Sequence, residues 1–301
     1  MKKFLKTLSI YGISIFVLLN IISFLCLYSL GKSSFYKQQF VKNGVTDTSF
    51  DYVILGSSTG LTTLDTKQID SITRLKGLNI SMDDSGLSAH YLMLEQFYSF
   101  GHQTDKLVLC ITPNDVSNLK PIINGNDYRF LPDASDANVK QYFCEIEGKD
   151  KWIYQSTSYL PLVGVSYFNS ELFFPGIVAL VQPKRRNLFD DKGNYSYPVS
   201  KSALKLLDKK KTQKVAIKNP YFSKIVDFCK QHDIELIVYQ SPIYNLNPIY
   251  NINLPLINHS SLFDDTALFY DEIHVNKKGR RVCSSNVATF LLNIDSQDIV
   301  N

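Results

Sequence analysis

The chain has 301 residues, of which 45% are apolar and 20% are charged, enough for one sizeable domain or two small ones with a full hydrophobic core. The formal net charge is +4, and Lys2, Lys3 and Lys6 contribute three of those charges ahead of an apolar segment, which leaves about +1 for the remainder. A charge this small and scattered argues against nucleic acid as a partner.

Residues 8–30, LSIYGISIFVLLNIISFLCLYSL, contain no formally charged side chain. Because a helix needs about 20 residues to cross the hydrocarbon core of a bilayer, we predict a transmembrane anchor here. A cleaved signal peptide is the main alternative, but the segment is longer than the apolar part of a signal peptide and no small-x-small cleavage site follows it. Lipidation at Cys26 is not expected, because no small residue stands next to it.

Charge alone does not decide the orientation of this anchor. The lysines on its two sides are nearly equal in number: Lys2, Lys3 and Lys6 before it, and Lys32, Lys37 and Lys42 after it. Long domains translocate largely regardless of their charge, and the N-terminal tail is short. We therefore expect residues 1–7 in the cytoplasm, the main domain outside, and residues 31–50 as a polar and aromatic stalk.

After residue 50, short apolar runs alternate with helical patterns. Strands are predicted in DYVILGSSTG, KGLNIS, DKLVLCIT and IELIVYQSP, and helices in SAHYLMLEQFYSF, NPYFSKIVDFCKQHD and GRRVCSSNVATFLLN. Continuous apolar runs are typical of strands buried on both faces of a parallel sheet. The alternation predicts an α/β domain over residues 51–301 with a doubly wound, mostly parallel sheet.

The alternation breaks between about residues 119 and 215, which we interpret as a middle insertion with its own helices or a small subdomain. Its run LFFPGIVALV is too short to span a membrane and contains Pro175 and Gly176, so we favour a core helix or an interfacial segment. The basic triplet at residues 184–186 is interpreted as a solvated turn, with contact to anionic lipid or an anionic polymer as the alternative.

Cysteine and histidine positions predict neither a metal site nor a cofactor. No C-x-x-C pair occurs, and no two histidines are four residues apart. The cysteines beyond the span are Cys110, Cys144, Cys229 and Cys283. Three disulfide pairings are possible in an oxidising compartment, but three of these residues lie in apolar patterns, which favours buried thiols.

Ligands of open α/β sheets bind outside the carboxyl ends of the strands, and four polar stretches are candidates for such a site. GSST, SMDDSG and TPNDV each follow a predicted strand, and YDEIH precedes the last helix. Ser58 follows a strand and opens a helix, so backbone N–H groups and the helix dipole favour a developing negative charge there. Asp271 precedes His274 by three residues and reaches its imidazole if both lie on one helical turn. These residues would supply a nucleophile, a base and an orienting carboxylate.

Each of these signals also has a purely structural explanation. Gly-Ser-Ser is a common helix N-cap, Asp271 could cap the final helix, and Asn114 after Pro113 is an ordinary turn residue. Their order along the chain favours the catalytic interpretation.

That order resembles the SGNH (GDSL-like) hydrolase superfamily. In this family a Gly-Asp-Ser block ends the first strand, a Gly-containing block the second and a Gly-x-Asn-Asp block the third, and an Asp-x-x-His block precedes the last helix. The corresponding blocks here are residues 56–58, 79–86, 112–115 and 271–279, of which the last, DEIHVNKKG, matches Asp-x-x-His-x-Asn-x-x-Gly. The resemblance covers most of residues 51–118 and 215–292 and implies a flavodoxin-like three-layer fold.

The resemblance also implies roles for individual residues. Ser58 would be the nucleophile, His274 the base and Asp271 the residue that orients it. The backbone N–H of Ser58, the glycine Gly86 and the side-chain amide of Asn114 would form the oxyanion hole.

Two positions depart from the family pattern. Ser57 replaces the Asp of the first block, as in membrane-anchored relatives that modify cell-surface polysaccharides. Asp84 falls near the place expected for the oxyanion glycine, and Gly86 stands further along. A carboxylate at that place would repel an oxyanion.

Anchored family members with one N-terminal span and a large middle insertion look like proteins that transfer or remove acyl groups on extracytoplasmic glycans. The resemblance therefore implies a membrane-anchored serine esterase or O-acyltransferase acting on a polysaccharide of the bacterial cell envelope, with aromatic residues of the insertion available for sugar stacking. The expected partners are the bilayer, through residues 8–30, and a glycan or acyl-donor substrate; a membrane transporter of the acyl donor is a further candidate. The alternatives are a catalytically silent scaffold in a polysaccharide assembly or export complex, and a lipid esterase at the membrane surface.

Overall fold

A computed structural model of the chain describes residues 1–199, 204–205 and 210–298. The helices are α1 (Lys2–Gly31), α2 (Lys37–Asn43), α3 (Ser58–Thr63), α4 (Thr66–Thr73), α5 (Leu87–Ser99), α6 (Pro113–Ser117), α7 (Ala137–Glu145), α8 (Lys151–Thr157), α9 (Pro161–Tyr167), α10 (Phe174–Val181), α11 (Pro220–Gln231) and α12 (Lys277–Asp298). The strands are β1 (Ser49–Leu55), β2 (Gly77–Asn79), β3 (Gln103–Ile111), β4 (Lys211–Val215), β5 (Glu235–Gln240), β6 (Leu246–Tyr250) and β7 (Leu256–Asn258). Short 3-10 segments occupy Asp127–Asp133 and Thr266–Leu268, and a π-helical turn occupies Asn169–Phe173.

The chain divides into two compact units. The first comprises Met1–Val45 and Asp127–Asn187, and the second comprises Thr46–Asn126 and Leu188–Asn301. The middle of the predicted insertion therefore belongs to the same unit as the N-terminal helix. The predicted stalk, residues 31–50, contains α2 and the first residues of β1.

The second unit is an α/β domain built on a central sheet with the strand order β2-β1-β3-β5-β7. Each described pairing in this sheet is parallel, which confirms the prediction of an α/β fold with a mostly parallel sheet. The continuous apolar runs of β1, β3 and β5 are buried on both faces, as their sequences predicted. A separate parallel pair, β4 with β6, was not predicted, because β4 is mostly polar and the short β6 contains Pro248, which is unusual inside a strand.

Helices α4 and α12 cover one face of the sheet. The buried cluster beneath them combines Ile54, Ile69, Val108, Ile237, Cys283, Val287 and Leu291 with other side chains of the same strands and helices. Helices α5, α11 and α12 lie where the sequence predicted them. Helix α4 was missed, because its sequence TKQIDSIT has only two aliphatic residues to mark a period.

The first unit contains α1, a helix of 30 residues. An 18-residue stretch of this helix has a mean hydropathy of 2.4. The predicted span, residues 8–30, lies inside this helix. Most of its large apolar side chains are exposed, among them Phe4, Ile13, Phe16 and Leu18. By length and composition α1 is able to cross a membrane.

Gly56 joins β1 to α3 at a point where the backbones of β1 and β3 approach closely. A Cβ atom at Gly56 would lie 2.6 Å from Cys110 Cβ and 2.9 Å from the Cys110 carbonyl oxygen. Only glycine leaves room for this contact.

We predict that Gly56→Ala lowers the free energy of unfolding by about 1–3 kcal/mol, because the added methyl group forces the two strand ends apart. Denaturant unfolding of the full chain in detergent measures this change. Ser49→Ala, at the exposed start of the same strand, is the matched control and should change the value by less than about 0.5 kcal/mol. Equal effects of the two substitutions would contradict the steric argument.

Candidate active site

Ser58 stands at the first position of α3, and Gly56 and Ser57 separate it from the end of β1. The turn follows the carboxyl end of β1, so it opens at the carboxyl edge of the sheet. Strand β1 lies between β2 and β3 in that sheet. The N–H group at the first position of a helix has no intrahelical acceptor and remains available for a ligand. The sequence predicted this placement from a strand followed by Gly-Ser-Ser.

The structure brings Ser58, His274 and Asp271 into one hydrogen-bonded chain. His274 Nε2 lies 2.8 Å from Ser58 Oγ, and His274 Nδ1 lies 2.8 Å from Asp271 Oδ2. A carboxylate only accepts hydrogen bonds, so Nδ1 carries the ring proton and Nε2 is free to accept the proton of the serine hydroxyl. The imidazole is buried, with 9% of its residue surface exposed, and is held on both sides.

The Asp271 carboxylate also closes the turn that carries His274. Its Oδ1 accepts hydrogen bonds from the backbone N–H of Ile273 at 3.0 Å and of His274 at 2.9 Å. Burial raises the pKa of this carboxyl, but the hydrogen bonds from His274 and Ile273 outweigh it, so the pKa lies below its ordinary value. Asp271 reaches the imidazole without a helical turn. Residues 271–274 form an Asx-type turn outside α12, in which the Asp271 side chain accepts the backbone N–H groups.

The other residues of DEIHVNKKG fix this turn to α12. Asn276 Oδ1 accepts from the N–H groups of Lys278 at 2.9 Å and Gly279 at 3.3 Å, so Asn276 and not Asp271 caps the last helix. A Cβ at Gly279 would lie 2.4 Å from the Leu268 carbonyl oxygen, which explains the need for glycine. Val275 is fully buried.

An aromatic pair flanks the imidazole. The rings of Tyr197 and Tyr270 stack with centroids 4.1 Å apart and an angle of 5° between their planes. The Tyr197 ring lies 5.2 Å from the ring of His274, and Tyr270 is 39% exposed. The sequence predicted sugar stacking only for aromatic residues of the insertion in general, and no local pattern marks this pair.

The two remaining oxyanion candidates, Gly86 and Asn114, line one cleft of about 200 Å³ at the same edge of the sheet. Gly86 precedes the first residue of α5, and Asn114 lies in the first turn of α6. The backbone N–H of Gly86 and the side-chain amide of Asn114 make no hydrogen bond with other described residues. Both donors are therefore available to an anion in the cleft.

The loop before Gly86 is docked on the Ser58 turn. The Met82 N–H donates to the Gly56 carbonyl oxygen at 2.9 Å, and a Cβ at Gly60 would lie 2.7 Å from Ser81 Oγ. These contacts connect the second polar block to the first.

Asp84 is not among the residues that line this cleft. It adopts a left-handed backbone conformation with φ of 49°, its side chain is exposed, and its carboxylate lies against Gly125. Ser57, the other departure, is the N-cap residue of α3, and its hydroxyl contacts Thr59 Oγ1 at 3.2 Å.

Two further polar contacts near the site were not predicted. Ser85 Oγ lies 3.1 Å from His90 Nε2, and burial lowers the pKa of this histidine to about 3, so the pair is neutral and structural. Asp115 Oδ2 accepts a hydrogen bond from Thr112 Oγ1 at 2.8 Å. Burial raises the pKa of Asp115 to about 6, although the hydrogen bonds from Thr112 oppose this.

Within the described residues, no three His, Cys, Asp or Glu side chains are grouped so that they could hold a metal ion.

We predict that Asp115→Asn stabilises the chain increasingly as the pH rises from 4 to 7. The folded chain holds the Asp115 proton up to about pH 6, whereas an unfolded Asp loses it near pH 4. The stability that this raised pKa gives the wild-type chain is fully present below about pH 4 and is lost as the pH rises through 6. The Asn variant has no proton to lose at this position, so it does not undergo this loss. Thermal unfolding of both proteins across this range measures the difference.

A difference in stability that is constant between pH 4 and 7 would contradict this assignment. Thr112→Val removes the hydroxyl that stabilises the ionised carboxylate, so it should move the midpoint of the pH dependence upward.

Comparisons with known proteins identified no relative: no protein-family model matches the chain, and no curated protein matches it with significance.

Proposed function

We propose that this chain is a membrane-anchored serine esterase or O-acyltransferase of the SGNH (GDSL-like) hydrolase type that acts on an extracytoplasmic polysaccharide or cell-envelope glycan. The observation that carries the proposal is the hydrogen-bonded chain from Ser58 through His274 to Asp271. A serine hydroxyl becomes an effective nucleophile when an adjacent base accepts its proton. The strand order β2-β1-β3-β5-β7 supports the proposal, because it corresponds to the flavodoxin-like order that places ligands at this edge.

The first half of the reaction transfers an acyl group to the enzyme. Ser58 Oγ attacks the carbonyl carbon of an acyl ester, and His274 Nε2 takes the hydroxyl proton. The Ser58 and Gly86 N–H groups and the Asn114 amide are the donors for the oxyanion of the tetrahedral intermediate. When the intermediate collapses, His274 returns the proton to the departing alcohol, and the acyl group remains on Ser58 as an ester.

The second half releases the acyl group. Water or a sugar hydroxyl attacks the ester carbonyl while His274 Nε2 takes its proton. Collapse of the second intermediate regenerates Ser58, which recovers its proton from His274. Water yields a carboxylic acid and hence hydrolysis, whereas a sugar hydroxyl yields a new ester and hence transfer.

The aromatic pair supports a glycan as the substrate. The C–H groups of a sugar ring pack against the face of an aromatic side chain, which carries partial negative charge. Tyr270 is partly exposed beside His274 and is stacked on Tyr197, so it is positioned to receive a sugar next to the reacting atoms.

The proposed location follows from α1. This helix anchors the chain, residues 1–7 lie in the cytoplasm, and the α/β unit lies outside, where cell-envelope glycans occur. The length of the domain that follows α1 supports this orientation, because long domains translocate largely regardless of their charge.

We predict that a fluorophosphonate probe labels the folded full-length chain and that Ser58→Ala abolishes the labelling, because the probe traps an activated serine hydroxyl. Gel fluorescence and mass spectrometry of the adduct measure the result. Ser57→Ala is the matched control: this neighbouring serine contacts Thr59 instead of His274, so labelling should persist. A folded chain that the probe does not label would favour the catalytically silent scaffold.

We predict that Tyr270→Ala lowers kcat/KM for an acetylated oligosaccharide by roughly tenfold, corresponding to about 1–1.5 kcal/mol of lost aromatic contact. The same variant should hydrolyse 4-nitrophenyl acetate within about threefold of the wild-type rate, since this small ester needs only the triad and the oxyanion donors. Steady-state kinetics on the two substrates provide the comparison. An equal loss on both would contradict a sugar contact, and activity confined to micellar acyl esters would favour a lipid esterase.

A further inference from the structure

A bent helical element in the first unit packs against the N-terminal helix. Helix α9 and the continuous segment Asn169–Val181, which ends in α10, meet at an angle of 109°. Helix α10 contacts α1 through small buried residues: a Cβ at Gly176 would lie 2.8 Å from Cys26 Cβ and 3.0 Å from Cys26 Cα, and Ala179 is 2% exposed. Close packing through small residues is typical of helices that associate within a bilayer.

Asn20 contacts the start of the bent element. This polar residue stands inside the apolar segment of α1, and its Oδ1 accepts a hydrogen bond of 3.3 Å from the backbone N–H of Leu162. Leu162 is in the first turn of α9, where N–H groups lack intrahelical acceptors. Asn20 is about 15 Å along the helix axis from Leu30, roughly half the thickness of a hydrocarbon core. A helix start at that depth needs such a partner, because lipid offers none.

The outward side of α10 is apolar. Phe174 is 66% exposed, Ile177 44%, and Leu180 and Val181 72% each. Residues 161–181 contain a single charged side chain, Glu171. An exposed apolar surface of this kind is unfavourable in water and suited to lipid.

The chain leaves the bent element beside the end of α1. Ser34 N–H donates to the Pro183 carbonyl oxygen at 2.7 Å, and Asn187 N–H donates to the Phe35 carbonyl oxygen at 2.8 Å. The basic triplet at residues 184–186 lies between these two bonds, so it is held next to the turn that follows Lys32. Four positive charges are thereby gathered at this end of α1.

Helices α1 and α10 leave a cavity of about 540 Å³ between them that leads to this basic end. Its wall is almost entirely apolar and is formed by Ile22, Leu25, Cys26, Tyr28, Phe173, Gly176, Ile177, Ala179, Leu180 and Pro183, together with Ser29 and Lys32. Among the described residues that form the wall, Lys32 is the charged one, and its ammonium lies 5.9 Å from the centre of the Tyr28 ring.

We propose that residues 161–181 enter the membrane beside α1 and that the groove between α1 and α10 binds one acyl chain of an anionic phospholipid, whose phosphate lies at Lys32 and the basic triplet. The apolar wall matches the acyl chain, and the cations at its end match the phosphate. The site is independent of the proposed esterase, because all of its residues belong to the first unit.

The test uses the full chain in nanodiscs that contain equal amounts of phosphatidylglycerol and phosphatidylcholine, with bound lipid identified by native mass spectrometry after release. One phosphatidylglycerol per chain is expected. Lys32→Gln should lower the preference for phosphatidylglycerol about fivefold, because one cation at a membrane surface contributes about 1 kcal/mol. Lys6→Gln, the same charge change at the opposite end of α1, should leave the preference unchanged.

Two tryptophan variants test the groove itself. Ile177→Trp places a large ring in the cavity and should abolish retention of the lipid, whereas Val181→Trp, on the same helix but outside the wall, should retain it. The unfolding temperature of each variant shows whether it is folded. Equal lipid retention in the two variants, or equal effects of Lys32→Gln and Lys6→Gln, would overturn the proposal. A photoactivatable side chain at position 177 that crosslinks to a second protein instead of lipid would also overturn it.

Discussion

The hydrogen bond between Ser58 and His274 joins two segments that are 216 residues apart, and it depends on the packing that aligns these segments. The turn that carries His274 is short, so its position is set by the helix that follows. Arg280 Nη2 in α12 donates to the Leu64 carbonyl oxygen at 3.2 Å, just beyond the helix that begins with Ser58. Val287 and its neighbours bury the same helix against the sheet. The alignment of nucleophile and base is therefore a consequence of core packing on one face of the domain.

The carboxylate of Asp271 has two structural tasks in this arrangement. It accepts the backbone N–H groups that close the turn, and it accepts the Nδ1 proton of His274. These bonds stabilise the ionised carboxylate and hold the imidazole in the tautomer that leaves Nε2 facing Ser58. Asn276 then ties the turn to α12 by capping it. The motif therefore combines, in nine residues, a turn that orients the histidine and the start of a helix.

The parts of this structure that could be predicted are those with strong local signals. β1, β3 and β5 follow from apolar runs, and α5 and α11 from periodic apolar residues. The identities of Ser58, His274 and Asp271 followed from their places after a strand and before a helix. Other parts depend on contacts between distant segments, which local patterns do not encode. The Tyr197–Tyr270 stack pairs residues from different loops, and the orientation of Asp84 toward Gly125 depends on a left-handed backbone conformation.

By itself, the sequence determined an apolar N-terminal helix long enough to span a membrane, an α/β domain, and the residue types and order of a serine-histidine-aspartate arrangement. Periodicity and spacing carry this information because they reflect local geometry along the chain. Only the tertiary structure decided that the Ser58 hydroxyl reaches His274, that Gly86 and Asn114 share a cleft, and that the middle of the insertion packs with α1. Each of these depends on the burial of apolar surface between elements far apart in sequence, and this packing sets distances that no local pattern specifies.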